Sequence, residues 1–155
     1  MRIRSATPND AARIRALIDL YTADGTLLPR TEDYIAAQAH NFIVAEMRLD
    51  GVDAVVGCAH LDEYSPSVAE LRSLAVAPGQ VGAGIGRALV EGIERLARKR
   101  DHMLLFAVSN DEAFFARFGF ASMHVPELDR ERSEVSRYKG VHAKPLREPH
   151  LAAAA

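Results

Sequence analysis

The residues whose types and spacing could do chemistry gather in Glu70 to Gly86, ELRSLAVAPGQVGAGIG. A strand-like run ends in Val76-Ala77-Pro78, and three glycines, Gly82, Gly84 and Gly86, lead directly into a helical pattern. Alternating glycines let a main chain approach a ligand closely. The free N–H groups of a helix's first turn, with the helix dipole, favour an anion at that point. A pyrophosphate suits such a site, although an ordinary glycine-rich strand-to-helix turn would read the same way. The spacing G-x-G-x-G departs from the dinucleotide fingerprint G-x-G-x-x-G, and no acid closes the strand that follows. Gly86 is followed by Arg87 and Ala88, so the GK[ST] ending of a phosphate loop is missing.

Other reactive side chains are less organised. The six histidines show no i,i+3 or i,i+4 pairing and no carboxylates at ligand spacing, so no metal is expected. The one cysteine, Cys58, follows Gly57 in a strand-like run, where core packing is its expected role. It cannot form an intrachain disulfide, and nothing demands an oxidising compartment.

The elements that must position these residues alternate between strand-like and helix-like, which argues for an α/β (α+β) architecture. Thr7-Pro8-Asn9-Asp10 reads as a helix start, followed by Ile14, Leu17, Ile18 and Tyr21 at helical spacing. ADGTLLPR, residues 23–30, breaks the pattern as a loop, and Thr31 caps a shorter helix through about Ala39. Phe42 to Met47 and Ala54 to Leu61, joined at Asp50-Gly51, form a hairpin, with Glu70 to Val76 as the next strand. A long helix over about Gly84 to Arg100 buries Ile85, Leu89, Ile93 and Leu96. Met103 to Val108 is a strand and Asp111 to Phe118 a short helix ended by Gly119.

The chain has 155 residues, 48% hydrophobic and 26% charged, enough apolar material for a core and a length suited to one domain. Residues 1–143 are expected to form that domain and 144–155 a flexible tail. A net charge of −2 gives no general pull toward nucleic acid or anionic lipid. With neither a signal-peptide-like start nor an apolar run of about 18 residues, a cytoplasmic location is expected, with no nucleic acid or membrane partner.

The glycine segment resembles motif A of the GNAT superfamily of acyl-CoA N-acetyltransferases, a strand ending V-x-P, then [QR]-x-x-G-x-[GA], then a helix. It stands here as Val76-Ala77-Pro78 and Val81 to Leu89, with Val81 where Gln or Arg is usual and Gln80 one residue early. Asn110 to Phe120, NDEAFFARFGF, resembles a second landmark of the superfamily. Across residues 2 to 126 the chain resembles the amino-acid N-acetyltransferase branch typified by N-acetylglutamate synthases, through its loop GTLLPRT and the strings VVGCAHL and AELRSLAV.

The resemblance implies a GNAT fold: a central mixed, mostly antiparallel sheet, splayed at the strand that meets acetyl-CoA and flanked by helices. It implies acetyl-CoA as co-substrate and direct attack by an amine in a ternary complex. The main chain of Leu74, Ala75 and Val76 would hold pantetheine, with the amide near Val76 as the oxyanion donor. Val81, Gly82, Ala83, Gly84, Ile85, Gly86 and Arg87 would hold the pyrophosphate. Asn110 would bond pantetheine or cap its helix. Phe115 occupies the place of a tyrosine that protonates the departing thiolate, which leaves solvent, Ser109 or Tyr138 for that task.

Glu70 would be the general base, acting directly or through water; a surface carboxylate paired with Arg72 is the plainer alternative. Arg30, with Leu28 as a wall, would meet the acceptor's α-carboxylate through a bidentate guanidinium. Arg72 would serve a second carboxylate. The stretch SRYKGVHAKPL compares with a terminal strand that helps hold glutamate in the synthases. It offers Arg137, Lys139 and Lys144, but Val141 and Ala143 fall where a charged and a hydroxyl residue are expected. The expected acceptor is therefore a free amino acid, glutamate or a related one, as in arginine biosynthesis. The alternatives are a peptide N-terminus, a polyamine or another small amine, or a noncatalytic acyl-CoA-binding module. The sequence leaves room for a homodimer.

Overall fold

The structure is a computed structural model and describes residues 1–129 and 139–147. The strands are β1 (Arg2–Ser5), β2 (Phe42–Leu49), β3 (Val52–Glu63), β4 (Val68–Val76), β5 (Leu104–Ser109), β6 (Ala121–Ser122) and β7 (Gly140–Pro145). The helices are α1 (Ala11–Asp19), α2 (Glu32–Ala37), α3 (Ile85–Lys99), α4 (Glu112–Ala116) and α5 (Pro126–Asp129). Among the described residues the strands form one sheet in the order β1-β2-β3-β4-β5-β7-β6, antiparallel throughout except for the parallel β4–β5 pair. The mixed sheet matches the expected architecture.

Period-two patterning sends alternate residues to opposite layers. In β2, Ile43 and Ala45 join a core with α3, while Phe42 and Val44 join a second core with α1 and α2. The β2–β3 turn is made by Asp50 and Gly51, at φ +50° and +79°. Two positive φ values in a two-residue loop match the right-handed twist of the flanking strands. Gly57 on β3 admits α3: a Cβ there would lie 2.9 Å from Leu89 Cδ1 and 3.0 Å from Ile85 Cγ2. Glycine at 57 sets how closely the long helix lies on the sheet.

One irregularity in β4 decides what faces where. Cys58 and His60, two positions apart on β3, pair with Ala75 and Arg72, three apart on β4. The extra residue falls near Ser73, whose φ of +52° is rare for a side chain other than glycine. Ahead of the bulge Ala69 and Leu71 face α3; beyond it Leu74 and Val76 pack on that layer, and Ala75 turns to the α1 side. Glu70 and Arg72 are thereby left opposite Asp62 and His60 of β3.

Several element ends differ from expectation. α2 stops at Ala37, and Ala39–Asn41 forms a separate turn of 3-10 helix. α3 begins at Ile85, because Gly84 at φ +81° is its left-handed N-cap. β7 continues past residue 143: Lys144 pairs with Leu105, Pro145 with Leu104, and Leu146 is buried. The strand completes the sheet edge beside β5, so the expected tail starts too early. Residues 148–155 lie outside the described residues.

Candidate functional site

A cleft opens where β4 and β5 part. Their pairing runs from Val68↔Leu104 to Glu70↔Phe106 and then ends. Beyond Glu70, residues of β4 and the Ala107–Ser109 end of β5 become facing walls of a cleft of about 690 Å³. The expected splay of the sheet is therefore present.

The backbone direction along β4 follows from one bond. Ala77 N–H donates to the Val56 carbonyl at 2.8 Å. In an antiparallel ladder successive residues alternate toward and away from their partner. Ala75 therefore addresses β3, while the main-chain groups of Leu74 and Val76 address the open edge. The Tyr21 hydroxyl reaches across and donates to the Val76 carbonyl.

At one end the cleft is bounded by the glycine loop. Gly82 and Gly84 sit at φ +90° and +81°, and nothing lies within 4 Å of where their Cβ atoms would be. The backbone conformation, not crowding, requires glycine there. Gly86 faces the Phe114 ring, 3.6 Å from its ideal Cβ position. Val81, Gly82, Gly84, Gly86 and Arg87 line the cleft. Ala83 does not border it, and Ile85 faces inward as part of the α3 core. Arg87 and Arg117 lie over the Phe118 and Phe114 rings at 5.2 and 5.5 Å, giving this end two cations above an aromatic floor. Exposed N–H groups, two guanidiniums and a ring surface fit a phosphate-bearing ligand with an apolar arm.

At the α4 corner the helix cap lies one residue beyond Asn110. Asn110 does not cap the helix; Asp111 does, accepting from Phe114 N–H at 3.1 Å, and Asn110 does not border the cleft. A carboxylate at the first turn also suits the helix dipole. Phe115 borders the cleft but is largely buried against Phe120 and His142. Ser109 borders it too, with its Oγ accepting from Asp111 N–H at 3.0 Å. Tyr138 lies outside the described residues.

The other end is built from side chains. Glu70 is only 5% exposed, so it is no surface carboxylate. Its Oε1 accepts from the Tyr64 hydroxyl at 2.7 Å, and its Oε2 lies 3.7 Å from Arg72 Nε. Burial pushes the Glu70 carboxyl up from its ordinary range, against the pull of Arg72 and of the Tyr64 hydrogen bond. Arg72 also donates to Asp62 at 2.9 Å. Arg30 enters from the loop before α2, with its guanidinium 5.6 Å from the Tyr34 ring centre and Nη1 bonded to its neighbour's carbonyl at Pro29. Its Nε is buried without a hydrogen-bond partner. Burial, then the nearby Arg72, lowers its proton affinity. Leu27 and Leu28 border the same space.

Beneath Arg30 lies His60, fully buried, stacked on Phe42 at 4.2 Å with Tyr34 edge-on at 6.1 Å. Neither ring nitrogen has a hydrogen-bond partner, and burial pushes its pKa down to about 4. Cys58 is buried, its Sγ donating to the Ser73 carbonyl at 3.4 Å, and burial pushes its thiol up to about 12.

Of the three cations offered by the C-terminal stretch, Lys139 borders the cleft and its Nζ donates to Gly25 and Thr26 carbonyls at 2.6 and 3.1 Å. Lys144 pairs with Glu94 instead, and Arg137 lies outside the described residues. Ala143 is buried and Val141 packs beside it on Phe106, so neither side chain borders the cleft. Tyr21 and Tyr64 escape the sequence reading as site residues, since their roles depend on the folded contacts with Val76, 55 residues away, and with Glu70, 6 residues away. Among the described residues no group of three or more His, Cys, Asp or Glu could hold a metal ion, and no helix is long and apolar enough to cross a membrane.

Comparison with known proteins places this geometry. The model of the acetyltransferase (GNAT) family matches residues 12–120. An amino-acid acetyltransferase of Ralstonia nicotianae is 35% identical over 86% of this chain and 29% of its own length. One from Mycobacterium tuberculosis is 33% identical over 78% of this chain and 68% of its own. Among solved structures, N-acetylglutamate synthase of Neisseria gonorrhoeae, complexed with coenzyme A and N-acetyl-glutamate, has a TM-score of 0.84 at 29% identity, covering 95% of this chain and 35% of that one. An M. tuberculosis protein crystallised with CoA has a TM-score of 0.81 at 28% identity, covering 94% and 99%. The chain thus spans about a third of the length of the Ralstonia and Neisseria proteins and most or all of the mycobacterial ones.

Proposed function

The chain belongs to the acetyltransferase (GNAT) family, and on that premise we propose that it transfers an acetyl group from acetyl-CoA to the α-amine of a free amino acid. The observation that carries the acceptor class is Arg30, whose guanidinium sits in the same cleft as Glu70 with Nε buried and unpartnered. Among the described residues its one hydrogen bond is the local one from Nη1 to the Pro29 carbonyl, so the guanidinium has donors left for a ligand carboxylate. The names of the similar amino-acid acetyltransferases support the same class.

In this reading the glycine loop, Arg87 and the first turn of α3 hold the pyrophosphate of acetyl-CoA. The open edge of β4 holds its pantetheine through the Leu74 and Val76 main chain. Arg30 holds the acceptor's carboxylate, and Glu70 takes one proton from its ammonium group. The freed lone pair attacks the thioester carbonyl, forming the C–N bond, and the Val76 amide meets the developing oxyanion. The C–S bond then breaks and the sulfur leaves with its electron pair. Phe115 has no proton to give, so the thiolate takes one from Ser109 or from water in the open cleft, and the new amide loses its extra proton to solvent. Holding both reactants in one cleft replaces a bimolecular encounter and lowers the barrier by several kcal/mol. Two guanidiniums beside the acceptor position work against a polyamine.

The test is thiol release from acetyl-CoA across the free amino acids, a polyamine and a peptide bearing a free N-terminus. Turnover with a free amino acid is expected. Turnover with the polyamine or peptide and none of the amino acids would overturn the acceptor assignment.

A further inference from the structure

Glu70 does not stand in the cleft alone. Its Oε1 is engaged by the Tyr64 hydroxyl at 2.7 Å, in the loop between β3 and β4. The Tyr64 ring is itself fixed, edge-on to Phe106 of β5 with centroids 5.3 Å apart. Phe106 is also the residue that pairs with Glu70 at the last rung before the strands part. The carboxylate is therefore held at the fork of the splay by a tyrosine braced on the opposite strand. Oε2 has no hydrogen bond among the described residues, and Arg72 Nε lies 3.7 Å from it.

We propose that Tyr64 is a positioning residue for the base: its hydroxyl holds Glu70 Oε1 and leaves Oε2 to receive the proton of the acceptor's ammonium group. The proposal rests on the reading of Glu70 as the base. Tyr64 keeps its own proton throughout; it donates a hydrogen bond and transfers nothing. Burial and the adjacent carboxylate hold its phenol far above neutrality, so it remains a donor at every working pH.

The charged and titratable groups around Glu70 come from four directions: Tyr64 from the connecting loop, Arg72 from its own strand, Asp62 from β3 and Arg30 from the loop before α2. β5 presents Phe106, which is apolar. Against this background a donated hydrogen bond stabilises the ionised carboxylate, so its loss must raise the carboxyl's midpoint. One hydrogen bond to a charged group corresponds to a shift of about one pH unit.

The experiment compares wild type, Tyr64→Phe and Glu70→Gln. The phenylalanine keeps the ring against Phe106, and matched melting temperatures confirm that the fold is retained. Carboxyl titration by 13C NMR, with Glu70 assigned through the signal missing in Glu70→Gln, is expected to show a midpoint about one unit higher in Tyr64→Phe. The acidic limb of kcat/KM is expected to move alkaline by the same amount, with kcat down about tenfold and KM for acetyl-CoA unchanged. An unmoved NMR midpoint in Tyr64→Phe overturns the positioning role and leaves Glu70 as base. A midpoint that moves while the kinetic limb stays, or a limb that persists in Glu70→Gln, overturns both.

Discussion

The two ends of the cleft are built on different principles. The end proposed to hold acetyl-CoA is main chain: the open edge of β4, Gly82 and Gly84 at positive φ, and the first turn of α3. The end proposed for the acceptor is side chain: Glu70, Arg72 and Asp62 from two strands, Tyr64 from their loop and Arg30 from a segment some forty residues earlier. A backbone site tolerates changes in side chain as long as the glycines keep their conformation, so Val81 can stand where Gln or Arg is usual. A side-chain site has no such tolerance. Glu70 there is buried, and its ionisation depends on the Arg72 and Tyr64 side chains beside it.

The largest expected effect falls on the donor end. Gly84→Asp forces a side chain into φ +81° and adds a negative charge at the α3 terminus, and is expected to abolish coenzyme A binding by calorimetry. Gln80→Ala, in the same loop but acting through a side chain, is expected to change affinity less than about threefold. If both variants lost binding equally, the main-chain account of this end would be wrong.

At the acceptor end, Glu70→Gln is expected to lower kcat about a hundredfold with little change in KM for acetyl-CoA. Because burial raises the carboxyl's midpoint, wild-type activity rises with pH through that midpoint, and the variant loses this acidic limb. Arg30→Ala is expected to raise the acceptor KM about ten- to hundredfold and leave that for acetyl-CoA nearly unchanged, since a charge-assisted pair contributes roughly 1.5–3 kcal/mol.

The last effect concerns stability and leaves turnover alone. His60 is fully buried with its pKa pushed down from 6.5 to about 4. The unfolded chain binds a proton between those values where the folded chain does not, so stability is lost as pH falls through that window. The loss is roughly 3 kcal/mol in all, and His60→Asn is expected to flatten that part of the pH–stability curve in denaturant melts. An unchanged slope would show that the acid sensitivity arises elsewhere.

How much was legible in the sequence follows the same division. The β4–loop–α3 unit is contiguous, and its glycines, its Val-x-Pro and the helical spacing of Ile85, Leu89 and Ile93 all lie within one stretch. Local letters there report local geometry. Glu70 reads as a strand carboxylate, yet its burial does not, because it depends on residues beyond its own strand, among them Tyr64 and Phe106. The bulge at Ser73, which turns Glu70 and Arg72 toward the acceptor side, leaves no mark in the letters ELRSLAV. Asn110 and Asp111 are adjacent and both suit an N-cap, and only the fold shows that Asp111 takes the place. Lys144 looked like the start of a tail because Pro145 follows it, but pairing with β5 outweighs local propensity.

In the proposed function a free amino acid's carboxylate is read by Arg30 beside Glu70. Its most direct test is thiol release by the wild-type protein on each amino acid and on the matching α-carboxamide, which keeps the amine and the side chain and removes only the charge. A kcat/KM at least tenfold lower is expected for the carboxamide, with little further loss for it in Arg30→Ala. Equal rates on the two would contradict the claim and assign the cleft to an amine without a carboxylate.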